Sequence, residues 1–137
     1  MASKFHLDIV TPDRIFYDDE VEMAVVRTSE GDLGIMNDHI STVAPIKIGK
    51  MKIKTDGNVK EAAIAGGFVK IEQGKTTIIV DSAEWPEEID IKRAEEAKQR
   101  AEKRLGGNRE NIDLIRAEIA LRKAINRLEI VQSSKHR

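Results

Sequence analysis

The chain has 137 residues, no cysteine, 34% charged residues and 4% aromatic ones. That length suits one compact domain with an appendage, and the lack of cysteine excludes a disulfide framework and thiol chemistry. The formal net charge of −1 hides an asymmetry: residues 1–90 carry 10 Lys/Arg against 17 Asp/Glu, and residues 91–137 carry 13 against 7.

The first half reads as β-structure. Phe5, Leu7 and Ile9 alternate with His6 and Asp8, the period of a strand with one buried face. Val21, Met23 and Val25 repeat the pattern, and Ile46, Ile48, Met51 and Ile53 alternate with lysines. Asp18-Asp19-Glu20 is expected as a solvated turn. The stretch from Glu30 to His39, with Gly31 and Gly34 flanking Asp32-Leu33, is expected as a tight exposed loop, a place where binding residues often sit. Thr55-Asp56-Gly57-Asn58 is a hairpin signal. Val59–Ile71 and Thr76–Val80 supply further strands around a turn at Glu72–Lys75. Short strands with frequent turns indicate a β-sandwich or flattened barrel.

The second half reads as an antiparallel helical hairpin. Asp90 suits an N-cap, and the first helix is expected to end near Leu105, at Gly106-Gly107-Asn108. The second is expected over Glu110–Val131, with Ser133–Arg137 as a frayed tail. Leu114, Ala117, Leu121, Ala124, Leu128 and Val131 form a heptad seam. Ile91, Ala94, Ala97, Ala101 and Leu105 form the facing stripe.

No chemistry-bearing motif stands out. Gly66-Gly67 is followed by Phe68-Val69-Lys70, which is no phosphate loop. His6, His39 and His136 lack metal-ligand spacing, so structural or surface roles are expected for them. Arg93, Arg100 and Arg104, and Arg109, Arg116, Lys123 and Arg127, flank the two seams. Two such rows could converge on a polyphosphate. The commoner arrangement is stems lying over the seam with their heads in water. A near-neutral net charge and few aromatics argue against nucleic-acid binding.

Five segments, in this order, carry a resemblance: His6–Pro12, Glu30–His39, Ala65–Val69, Ile89–Ala94, and Arg116–Leu121 with Ala124–Leu128. The chain resembles the epsilon subunit of bacterial F-type ATP synthase, called delta in mitochondria, over essentially its whole length. The resemblance implies a ten-stranded β-sandwich over residues 1–86 and a regulatory two-helix hairpin over 87–137. It implies a non-catalytic rotor subunit on the cytoplasmic face of the bacterial membrane, touching the membrane only through its complex. The sandwich would bind the gamma subunit and the c-ring, with Asp32 and His39 at the ring. The helices, when extended, would reach the alpha and beta subunits and block ATP hydrolysis. No cofactor is required, but ATP is an expected regulatory ligand of the compact hairpin. By position its candidates are Glu84, Ile89, Asp90, Arg93, Ala94, Arg100, Lys123 and Arg127. Lys123 departs from the family's arginine and Asn37-Asp38 from its Pro-Gly. A free-standing ATP-sensing adapter module is the alternative.

Overall fold

The computed structural model describes residues 3–107 and 111–135, with the side chains of 111–113 and 135 outside the description. The chain divides into two compact units, Met1–Glu84 and Trp85–Arg137.

Among the described residues, the first unit contains ten strands. They are β1 (Phe5–Val10), β2 (Ile15–Val21), β3 (Met23–Thr28), β4 (Gly31–Ile35), β5 (Thr42–Ile46), β6 (Gly49–Thr55), β7 (Asn58–Ile64), β8 (Gly67–Glu72), β9 (Lys75–Val80) and β10 (Ala83–Glu84). They form one hydrogen-bonded sheet in the order β10-β7-β6-β3-β5-β8-β9-β1-β2, with β4 paired to β3. The sheet passes from one half to the other through a single β3–β5 pair, Thr28 with Ile46. It is therefore a flattened barrel made of one folded ladder. All pairs are antiparallel except β1 with β9.

Alternation sets the inward face. Phe5, Leu7 and Ile9 are buried, as are Ile35, Met51, Ile53, Val69 and Ile78. Each such side chain contributes about 1.5–3 kcal/mol relative to exposure. Asp56 and Gly57 turn with φ of 50° and 80°, the left-handed pair that a two-residue hairpin needs. Gly67 answers to a different demand. A Cβ there would lie 1.9 Å from the Ile79 carbonyl oxygen, so only glycine lets β8 approach β9.

Three sequence expectations fail in this unit. Val21, Met23 and Val25 do not share one buried face: Val21 ends β2, and in β3 the buried residues are Ala24 and Val26. Gly31–Ile35 is a strand rather than part of a loop, because it pairs with β3 from Thr28–Gly31 through Ala24–Ile35. Asp18-Asp19-Glu20 lies within β2, held by the ladder to β1, and is not a turn.

The second unit begins with a 3-10 turn at Pro86–Glu88, braced by the Trp85 N–H donating to Glu88 Oε1 at 2.9 Å. Helix α1 (Ile91–Gly107) and helix α2 (Asn111–Lys135) follow. Asp90 caps α1, its Oδ1 accepting from the Arg93 N–H at 3.1 Å. Ala94, Ala101, Ala117 and Ala124 are buried along the seam. Gly106 and Gly107 remain helical, and α2 continues through Ser133 and Ser134 to Lys135, where a frayed tail was expected. Asn108, Arg109 and Glu110, and His136 with Arg137, lie outside the described residues.

Candidate functional site

The first unit presents a distinctive outer surface. Strand register places Pro45 opposite Phe68, Phe68 opposite Ile79, Ile79 opposite Val10, and Val10 opposite Ile15. This is one apolar row across five neighbouring strands, β5-β8-β9-β1-β2. Phe68, Ile79 and Ile15 are 59%, 60% and 66% exposed. Val43, two residues before Pro45 on the same face of β5, is exposed as well. Scattered exposed apolar residues are normal, but a contiguous set marks a binding surface. Sequence patterning missed this row, although a signal was present. Ile9-Val10, Phe68-Val69 and Ile78-Ile79-Val80 are consecutive apolar residues, and successive strand residues point to opposite faces.

The segment expected to meet a ring of subunits is more extended than a loop. Asp32 stands on β4, and its Oδ1 accepts from Arg27 Nε at 3.2 Å. His39 lies beyond the other end of β4, with Nδ1–H donating to the Ile40 carbonyl at 2.8 Å. The strand thus spaces the two residues apart along the chain. Between them the structure exposes Met36, and just past His39 it exposes Ile40, apolar residues that charge-based reading passed over.

The expected ATP residues divide between the units. Glu84 ends β10, paired with Ala63. Ile89, Asp90, Arg93, Ala94, Arg100, Lys123 and Arg127 belong to the helical unit. A helix turns about 100° per residue. Arg93 and Arg100 therefore fall roughly 100° to one side of the Ala94–Ala101 line, and Lys123 and Arg127 roughly 70–110° from the Ala117–Ala124 line. In an antiparallel pair both offsets lead to the same flank. The opposite flank holds an open groove of about 660 Å³ lined by Ile91, Glu95, Lys98, Ile125, Leu128 and Gln132, among others. Ile91 therefore borders that groove and is partly exposed, where the seam was expected to cover it. The groove lining sets residues 91–98 of α1 beside 125–132 of α2. Arg100 is then at about the height of Lys123, and Arg127 about one turn from the height of Arg93. Ala94 and Ile89 are buried, and the Asp90 carboxylate is engaged by the first turn.

Helical geometry thus turns Arg93, Arg100, Lys123 and Arg127 toward one flank of the pair, with Arg93 in the first turn of α1, and such side chains can donate to phosphate oxygens. Among the described residues, one group, His6 with Asp8 and Asp18, brings three potential metal-ligating side chains together. Both ring nitrogens of His6 face carboxylates, so in this structure the group is an ion-paired cluster. Among the described residues no helix is long and apolar enough to cross a membrane.

Comparison with known proteins covers both units. Residues 4–86 match the family described as ATP synthase, Delta/Epsilon chain, beta-sandwich domain. Residues 87–132 match ATP synthase, Delta/Epsilon chain, long alpha-helix domain. The ATP synthase epsilon chain of Alkaliphilus metalliredigens is 65% identical over 133 residues, covering 97% of this chain and 99% of the relative. That of Alkaliphilus oremlandii is 67% identical over 108 residues, covering 79% and 81%. A chain in the cryo-EM structure of the Euglena gracilis mitochondrial ATP synthase shares the fold. Its TM-score is 0.81 at 24% identity, with 99% of this chain and 84% of that one covered. The chain belongs to the delta/epsilon family of ATP synthase subunits.

Proposed function

We infer that this chain is the non-catalytic epsilon subunit of an ATP synthase central stalk, with the β-unit as its docking part and the helical hairpin as its regulatory part. The observation that carries the docking role is the apolar row Pro45–Phe68–Ile79–Val10–Ile15 on the outward face. A gamma subunit is the partner it suits, because a rotating shaft and its collar need a broad, sequence-distant contact rather than a pocket. The exposed Met36 and Ile40, with Asp32 and His39, are the surface we assign to the c-ring, which the Euglena assembly also contains. Through these contacts the subunit is held at the cytoplasmic face of the membrane.

The helical unit is assigned the inhibitory role, reaching alpha and beta when its helices extend. Its cationic flank is assigned to ATP. Arg93, Arg100, Lys123 and Arg127 would take the phosphates, with Asp90, Ile89 and Ala94 shaping the end of the site. ATP then acts by favouring the compact hairpin, and only to the extent that its affinity for the two states differs.

The docking role is tested by mixing purified gamma with wild type and with the Phe68→Asp, Ile79→Asp double variant, following complex formation by size exclusion. Loss of the complex with an unchanged melting temperature is expected; an intact complex refutes the docking face. Titration calorimetry tests the nucleotide site. Wild type should bind ATP, Arg127→Ala should bind at least tenfold more weakly, the loss expected for one charge-assisted phosphate contact of about 1.5–3 kcal/mol, and Lys123→Arg should bind more tightly through its planar fork. Absence of binding by wild type removes ATP from the account. A chain ending before Trp85 should dock normally yet fail to inhibit hydrolysis by the reassembled enzyme.

A further inference from the structure

The outward face that carries the apolar row changes character along its strands. Four residues from Val10 and about 13 Å away along β1, it presents a square of ionisable side chains. His6 stands opposite Glu20, and Asp8 stands opposite Asp18. Two carboxylates directly opposed on an antiparallel ladder repel each other. Here an imidazole lies among them. His6 Nδ1 is 2.9 Å from Glu20 Oε2, while Nε2 is 3.0 Å from Asp8 Oδ1 and 2.5 Å from Asp18 Oδ1. Ionised carboxylates only accept hydrogen bonds, so both ring nitrogens must donate. Only the protonated ring carries two N–H groups. With these carboxylates ionised, the contact geometry calls for an imidazolium.

The other charges around the ring are accounted for. Lys75 of β9, the register partner of His6, lies 3.6 Å from Asp8 Oδ2. On β8, Glu72 is paired with Lys70 at 3.1 Å. Lys4, just before β1, is paired with Asp56 at 2.9 Å. Asp19 accepts from the Glu20 N–H. Among the described residues, no lysine or arginine is paired with Asp18 or Glu20. Their positive partner is His6. The strand they belong to is the last in the sheet order, and its ladder to β1 is irregular between Ile9 and Val10.

We propose that His6 is a proton-operated clasp: its imidazolium ties the edge strand β2 to β1, and loss of that proton loosens the strand. Without the proton, one ring nitrogen presents a lone pair to a carboxylate, and three carboxylates on two strands are left with Lys75 alone. The hydrogen bond to Glu20 foremost, then those to Asp18 and Asp8, raise the His6 pKa above its ordinary value, against a desolvation that lowers it. A group raised on folding stabilises fully below its unfolded pKa, near 6.5, and loses that contribution as pH rises through its folded pKa. The clasp therefore opens on the alkaline side of about pH 6.5. Strand β2 also carries Ile15, the end of the docking row, so an open clasp would disturb that row. This last consequence rests on the docking role, whereas the clasp itself needs no partner.

The test uses the full chain in metal-free buffer. The His6 ring is titrated by NMR, and amide exchange of residues 15–21 is followed from pH 6 to 9 after correction for intrinsic rates. The His6 midpoint should lie above the ordinary imidazole range and fall in Glu20→Gln. Protection of the β2 amides should drop about two- to fivefold across the same interval, the range open to exposed ion pairs. His6→Gln should show the low-protection level at every pH. An ordinary midpoint for His6, or β2 protection that does not change with pH in wild type, overturns the clasp. So does a pH step that survives in His6→Gln. None of these readouts involves gamma, so the docking role stands or falls separately.

Discussion

The β-unit fully buries Phe5, Leu7, Ile9, Ile35, Met51, Ile53 and Ile78, whereas the helical unit fully buries Ile130 and otherwise relies mainly on Ala94, Ala101, Ala117 and Ala124 along its seam. The stabilisation from burial scales with apolar area, at about 25 cal/mol per Å², so an alanine seam contributes far less per contact. Isolated helices are also marginal without tertiary packing. One unit is thus suited to hold its shape under load, and the other to open at small cost. That contrast fits a docking part joined to a regulatory part.

The largest effect is expected in the β-unit. Leu7→Ala removes a fully buried side chain from a closed core and should cost about 2–5 kcal/mol. Urea unfolding followed on the β-unit would show it as a lower midpoint at constant slope. A loss below about 1 kcal/mol, smaller than any large-to-alanine core truncation should give, would mean that the core is looser than its burial indicates. Gly67→Ala comes next. Its Cβ would collide with the Ile79 carbonyl, so β8 and β9 must separate, at about 1–3 kcal/mol or more. The same substitution at Gly74, where φ is 76° but space is open, should cost only its backbone strain. Ala101→Gly sharpens the contrast from the other side. It should cost about 1 kcal/mol in helix propensity and lower the helical signal at 222 nm while the β-unit midpoint stays put. Simultaneous loss of both signals would mean the units unfold as one.

Much of this division is legible in the sequence, for physical reasons that differ by place. Phe5, Leu7 and Ile9 announce a half-buried strand because burial there has period two. Asp56-Gly57 announces its hairpin because few residues accept two left-handed conformations in succession. Asp90 announces the start of α1 because a helix leaves its first N–H groups without partners. What stays hidden depends on partners distant in sequence. Gly31–Ile35 has the composition of a loop and becomes a strand only because β3 lies beside it. Asp18 and Glu20 look like turn residues, and the histidine that neutralises them lies 12 and 14 residues away. The apolar row exists only once five strands are in register. At the cationic flank, spacing along each helix was readable, but not the level at which the helices pair. Ser133 and Ser134 were expected to fray, yet α2 runs through them.

The smallest effect separates the two duties of Asp90. As a cap it accepts from the Arg93 N–H. As an assigned nucleotide residue it would also bear on ATP. Asp90→Ala should destabilise the hairpin by about 1 kcal/mol, within the usual range for a lost cap. Asp90→Asn keeps an acceptor oxygen and caps almost as well, so its stability should change by only a few tenths of a kcal/mol. It nevertheless removes a negative charge beside Arg93. If Asp90 serves only as a cap, calorimetry on Asp90→Asn should return the wild-type ATP affinity. If it orients Arg93 or touches the nucleotide, affinity should change while the melting temperature does not. Measuring both quantities on the same two variants decides whether this turn is merely the start of a helix or also part of the regulatory site.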